Sequence, residues 1–212
     1  MDTEERRPQH LVTDLAALER IYGTTPSEAS LVKETDHIHP VYRALIEASP
    51  FAVLATSGPG GLDASPRGDM AGFVAVEDER TLLIPDRRGN NRIDSLRNIL
   101  ADPRVALLFL IPGVGETLRV NRRAAISVDP ALLDRFAVDG KAPRSVLVVA
   151  VETVYFQCSR AIVRSQLWDP SRHVERSSLP STGTILAELS RSRIDGAEYD
   201  REQPGRMKAT LY

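Results

Sequence analysis

Between Phe51 and Phe156 the chain breaks into six short runs, and no other feature limits its fold so tightly. FAVLAT, GFVAVE, TLLIP, RVALLFLIP, TLRVNRRAAISV and SVLVVAVETVYF are either apolar throughout or alternate apolar with polar residues, which is the period of a strand. Turn signals such as Gly58-Pro59-Gly60-Gly61 and Ile111-Pro112-Gly113 divide them. One helical pattern intrudes, with Ile93, Leu96, Ile99 and Leu100 on one face, and it stops before Asp102-Pro103. A shorter one, 131–137, follows Asp129-Pro130, where Asp can cap and Pro suits the first turn. Most connections hold no helix long enough for a repeated strand–helix–strand pattern. The expected fold is therefore mainly β with helical insertions, an antiparallel barrel rather than a doubly wound sheet.

The flanks read as helical. Leu11, Leu15, Leu18 and Tyr22 share one face before the breakers at 23–26, and a second helix is expected over Pro40 to Ala48 with Val41, Leu45 and Ile46 inward. Two more are expected over 158–168 and 184–192. The last twenty residues, charged and carrying Pro204-Gly205, read as a tail ordered only against something else. With 212 residues, 42% apolar and 26% charged, the chain is an ordinary globular one that needs no staples. Its 27 Lys and Arg nearly balance 29 Asp and Glu, so no global field draws in nucleic acid or an anionic membrane, and any anion site must be local. A single cysteine, Cys158, excludes an intrachain disulfide and multi-cysteine metal sites, and with no signal-like or membrane-spanning run the expected setting is the cytoplasm.

Four windows are candidates for chemistry. IPDRRGNNRIDSLR, 84–97, ends a strand and opens a helix with Asn90 or Asn91 as the expected cap. Arg87, Arg88 and Arg92 crowd that helix start, the wrong sign for the dipole, a conflict that a bound anion would resolve. Equally, they could be solvated charges neutralised by Asp86 and Asp94. DASPRGDMAG, 63–72, is too polar for a core strand and reads as a plain turn or as a strand edge that turns Arg67 toward the same anion. Thr117, Arg119 and Asn121 share one face of a strand, which is usually just the solvent face. Arg164-Ser165-Gln166-Leu167-Trp168 holds the only tryptophan, a ring suited to an aromatic ligand and more often a packing residue. His37-Ile38-His39 lacks a third metal ligand, no G-x-S-x-G elbow or P-loop occurs, and Cys158 is expected to be a buried small apolar group.

SPRGD at 65–69, IPDRRGNNRIDSLRNI at 84–99, DPRVALLFLIPG at 102–113, ETLRVN at 116–121 and QCSRAIVRSQLW at 157–168 occur in that order. Together they resemble the flavin-binding proteins of the pyridoxamine 5′-phosphate oxidase-like superfamily, in the branch whose members are about as long as this chain. The resemblance, which runs from about Ser49 to Trp168, implies a six-stranded antiparallel split β-barrel with peripheral helices. It also implies a homodimer with FMN in clefts at the subunit interface. On that pattern residues 1–48 are a helical segment packed on the barrel, 49–168 the FMN-binding domain, and 169–212 its terminal helix and tail.

Position by position, the resemblance places Ser65, Arg67 and Gly68 along the flavin and its ribityl chain, and Pro85 and Asp86 at the polar edge of the ring. Asn91 and Arg92 match the phosphate-binding pair, with Arg87 assisting. Thr117 stands where the oxidases carry a ring-touching glutamine, and Arg164, Ser165, Gln166 and Trp168 would come from the partner subunit. Two departures matter: Thr replaces Gln, and the closing Arg-x-His pattern that holds pyridoxal phosphate is missing, so pyridoxamine phosphate oxidation is not implied. The implied function is an FMN-dependent oxidoreductase acting on a small molecule. The alternatives are a flavin-binding or flavin-sensing protein without turnover and, more weakly, a haem-binding member of the superfold, since no histidine falls in the barrel windows.

Overall fold

The computed structural model describes residues 10–212, which divide into two compact units, one ending at Glu34 and one covering Thr35–Tyr212. The first contains α1 (Leu15–Tyr22) and α2 (Glu28–Val32). Asp14 sets the start of α1 by accepting the Ala17 N–H at 2.7 Å, so Leu11 lies outside the helix expected to include it. Gly23, with φ 79°, ends it.

The second unit is built on one antiparallel sheet of seven strands: β1 (Phe51–Gly58), β2 (Gly61–Gly68), β3 (Ala75–Asp78), β4 (Thr81–Asp86), β5 (Arg104–Leu110), β6 (Thr117–Ser127) and β7 (Ser145–Gln157). Their order is β2-β1-β5-β6-β7-β4-β3. The sheet thus has one strand more than the six expected. The addition is β2, which folds back on β1 through the turn closed by Gly58 and Gly61. It escapes an apolar-run reading because its half-buried face is polar: Asp63, Ser65 and Arg67 alternate with exposed Leu62, Ala64 and Pro66. Pro66 is tolerated because β2 is an edge strand.

One apolar cluster fills the inner face, with Leu54 of β1, Val76 of β3, Ile84 of β4, Leu107 and Phe109 of β5, Val120 of β6 and Val149 of β7. Glu152 is the extra residue of a bulge where β7 pairs with β6, so the register passes from Asn121↔Thr153 to Arg122↔Val151. Helix α3 (Pro40–Ala48) packs Tyr42 and Ile46 into the cluster, with Leu45 beside them. Val41, expected inward, is 63% exposed, because the helix turns its Tyr42–Ile46 stripe to the sheet. In α4 (Asp94–Ala101) Ile99 is buried and Leu96 packs against the cluster, whereas Leu100 and Ile93 are exposed. A Cβ on Gly58 would lie 2.1 Å from the Asn98 side-chain oxygen and 3.1 Å from its Cα, so the glycine permits α4 to rest on β1.

Helix α5 (Pro130–Arg135) is capped by Asp129, as its Asp-Pro start predicts. Beyond β7 come α6 (Arg160–Ser165), α7 (Thr182–Leu189) and α8 (Gly196–Thr210). The closing segment expected to be a tail is therefore mostly helix, capped by Asp195 and tied to α7 through Asp200. Cys158 is exposed rather than buried, because it follows the last strand instead of lying in it. Among the described residues no helix is long and apolar enough to cross a membrane.

Candidate functional site

A cleft of about 320 Å³ opens between edge strand β2, the end of β4, the loop into α4 and the first residues of β7. Its floor follows from strand pairing. Asp86, the last residue of β4, is registered with Ser145 of β7, and the Arg144 N–H donates to the Asp86 carbonyl at 3.0 Å. The chain then leaves the sheet through Arg87-Arg88-Gly89-Asn90-Asn91-Arg92. Asn90 closes a turn by accepting the Arg92 N–H at 2.9 Å, and Asn91 takes the left-handed conformation (φ 61°) that asparagine tolerates. Neither asparagine is the cap of α4. That place falls to Ile93, which offers no side-chain acceptor, so the first N–H groups of the helix go uncapped. Arg144 donates to Asn91 Oδ1 at 2.6 Å and fixes the loop from the β7 side.

Charge in the cleft is dense and unevenly paired. Arg67 reaches from β2 to Ser65 Oγ (2.7 Å) and the Pro66 carbonyl (2.9 Å), with one terminal nitrogen 3.6 Å from Asp86 Oδ1. Its Nε–H is buried without an acceptor. A donor stranded in this way costs about 1–3 kcal/mol until an acceptor enters. Burial pushes the Asp86 carboxyl above its ordinary range, and Arg67 and Arg144 only partly reverse that. Asp69, just past β2, behaves oppositely. Burial would raise it, but the Tyr212 hydroxyl, the Met70 N–H and Arg87 outweigh burial and hold it below its usual value. Arg87 donates from Nε to Asp69 Oδ2 at 2.8 Å and from Nη1 to the Phe136 carbonyl at 2.7 Å, so it is already committed. Arg92, 81% exposed, pairs with Asp94 at 2.6 Å, and Ser95 Oγ donates to Asp63 at 2.6 Å. Arg88 makes no ion pair among the described residues.

Ser65, Arg67, Gly68, Pro85, Asp86, Arg87, Asn91 and Arg92 all line this cleft. Thr117 does not: it begins β6 and pairs with Gln157. Arg164, Ser165 and Gln166 are exposed at the end of α6, which Gln166 terminates with φ 52°. The Trp168 indole N–H donates to the Val114 carbonyl at 2.7 Å, away from this cleft. Asp69, the last residue of the SPRGD run, also lines it, as do Arg144 and Ser145, which carry no sequence signal of their own, since only the β4–β7 pairing brings residues 144 and 145 beside Asp86.

A family profile described as pyridoxamine 5′-phosphate oxidase matches residues 38–158, more than half of the chain and every residue lining the cleft. The chain belongs to the pyridoxamine 5′-phosphate oxidase family. No curated protein matches it. Solved structures to which the chain is similar include HupZ of Group A Streptococcus (20% identity, TM-score 0.47, covering 57% of this chain and 95% of that one). General stress protein 26 of Bacillus anthracis is 18% identical, with a TM-score of 0.40 and coverage of 53% and 88%. A pyridoxinephosphate oxidase family protein of Clostridium acetobutylicum, related to general stress protein 26 of B. subtilis, is 14% identical, with a TM-score of 0.42 and coverage of 54% and 84%. These likenesses are distant, and membership of the pyridoxamine 5′-phosphate oxidase family rests on residues 38–158.

Proposed function

We propose that this chain binds FMN in the cleft and serves as an oxidoreductase on a small molecule, with a nicotinamide nucleotide as electron donor. The observation that carries the reading is the stranded Arg67 Nε–H, because the polar edge of an isoalloxazine presents the carbonyl and ring-nitrogen acceptors it lacks. The remainder of the lining suits a phosphate: Arg88 makes no ion pair among the described residues, Arg92 is accessible, Arg144 is bound to a neutral asparagine, and the start of α4 is uncapped. When bound, the flavin supplies the hydride and electron transfer. Arg67 and Ser65 would orient it from β2, and the loop at 88–92 would grip the phosphate.

A homodimer and a split barrel complete this reading. The single inner cluster joins β1 to β3, strands near opposite edges of the sheet, as expected of a sheet rolled on itself. On the outer face, Val53 pairs with Leu108, Ala55 with Ala106 and Phe51 with Leu110, an apolar row that a second copy would cover. Arg164, Ser165, Gln166 and Trp168 would then reach the cleft of the partner. The lone cysteine, exposed, suits the reducing cytoplasm.

A second reading, flavin binding without turnover, is favoured by one observation: the carboxylates of Asp69 and Asp86 both face arginines, which leaves no uncommitted acid–base group there. Visible absorbance of the purified protein and anaerobic mixing with NADH and NADPH decide between them. A yellow protein that bleaches supports the oxidoreductase, a yellow protein inert to both donors supports binding alone, and a colourless protein that refuses added FMN removes both. Arg92→Ala tests the phosphate end. Because Arg92 is exposed and already paired, the expected loss is modest, up to about tenfold in FMN affinity, with riboflavin unaffected. Equal losses in fluorescence titrations of FMN and riboflavin would take Arg92 off the phosphate.

A further inference from the structure

One wall of the cleft is held from far along the chain. The Tyr212 hydroxyl donates to Asp69 Oδ1 at 2.7 Å while Arg87 donates to Oδ2 of the same carboxylate, and the Arg87 guanidinium lies over the Tyr212 ring, 5.2 Å from its centroid. Asp69 and Arg87 both line the cleft, and their side chains are 6% and 17% exposed. Tyr212 itself stands just outside the lining. It meets the cleft through these two side chains, and its bond to Asp69 joins residues 143 apart in sequence.

The segment that delivers Tyr212 has little else to hold it. Near its start, α8 is anchored where Asp200 accepts from Ser181 Oγ and, at 2.7 Å, from the Gly183 N–H. From Arg201 to Leu211 every residue except Gln203 is exposed, and Pro204 removes a backbone donor in the middle. A helical stretch this short is marginal in water without packing, so its far end depends on Tyr212.

We propose that Tyr212 is a positioning residue of the cleft: it braces Asp69 and Arg87 into a closed wall, and its release opens that wall to ligand entering or leaving. The inference rests on the flavin reading for its ligand probe alone, since the bracing contact exists without one. A hydrogen bond to a carboxylate together with a cation–π contact favours the closed wall by about tenfold or somewhat more, weak enough to open readily.

Two measurements on the full chain test this. The first is the rate of tryptic cleavage at Arg206 and Lys208 in flavin-free protein. The second is the pair of FMN association and dissociation rates, read by flavin fluorescence in stopped flow. Tyr212→Ala should raise cleavage about tenfold and speed both FMN rates by a similar factor. Tyr212→Phe, which keeps the ring over Arg87 and loses only the hydroxyl, should fall between. Asp69→Ala, which removes the acceptor of both Tyr212 and Arg87, should open the wall at least as much as Tyr212→Phe, and adding Tyr212→Phe to it should change little, because the hydroxyl has then already lost its partner. Cleavage at the wild-type rate in Tyr212→Ala overturns the proposal whatever FMN does. Faster cleavage with unchanged FMN rates also overturns it, reducing Tyr212 to a strut. If FMN binds none of the proteins, the flavin reading fails separately and cleavage alone decides, with acceleration supporting the brace.

Discussion

Arg67→Met should weaken the proposed flavin binding and destabilise the protein far more at neutral than at acid pH. Arg67 is the principal charge facing half-buried Asp86, whose carboxyl is already lifted above its ordinary range by desolvation. Without the guanidinium that value climbs further. A carboxyl whose native value is raised binds its proton more tightly when folded, so its contribution is fully present below the unfolded range near about pH 4 and is lost as pH rises through the native value. The loss relative to wild type should therefore be small near about pH 4 and grow to about 2–4 kcal/mol near neutrality. Thermal unfolding of both proteins across that range measures it, and a difference independent of pH would mean that Asp86 does not feel Arg67. Flavin affinity should fall roughly ten- to a hundredfold, the worth of a charge-assisted hydrogen bond. On the proposed reading, in which Arg67 addresses the ring, riboflavin should suffer as much as FMN, in contrast to Arg92→Ala.

Arg67 also illustrates what can be read from sequence in a chain of this kind. Apolar runs such as RVALLFLIP mark strands because a strand buried on its inner face must be rich in β-branched and aromatic residues, whatever it pairs with. Strand β2 breaks that rule. Its inward face is Asp63, Ser65 and Arg67, and it is a strand because β1 offers it a partner, not because its side chains need burial. The windows at 65–69 and 84–92 are legible as a site because glycine, asparagine and arginine are costly to place together without a ligand. Arg144 and Tyr212 are not legible: one is delivered by the β4–β7 register and the other by a helix, across separations that no local pattern encodes. Arg87 shows the opposite failure. It belongs to a marked cluster, yet Asp69 and the Phe136 carbonyl already occupy it, a commitment that arises only in the folded chain.

Gly183→Val should detach the terminal helix while leaving the sheet folded. Helices α7 and α8 meet through two facing glycines: a Cβ on Gly183 would fall 2.0 Å from the Gly196 carbonyl oxygen, and one on Gly196 would fall 2.5 Å from that of Gly183. Both obstacles are backbone, so no rotamer change relieves them, and α8 has to move bodily. Movement breaks the Asp200 contacts with Ser181 and Gly183, the anchor at its near end. Overpacking of this severity costs about 3 kcal/mol or more, beyond what the exposed remainder of α8 can offset. The helix should melt, lowering helical circular dichroism and opening Arg201 and Arg206 to trypsin. The main thermal transition should hardly change, because the inner cluster draws on the strands, α3 and α4 and on nothing from α7 or α8. Since Tyr212 follows directly, the variant should also reproduce the faster flavin exchange of Tyr212→Ala. A main transition that falls in step with the lost helicity would show instead that α8 folds cooperatively with the sheet.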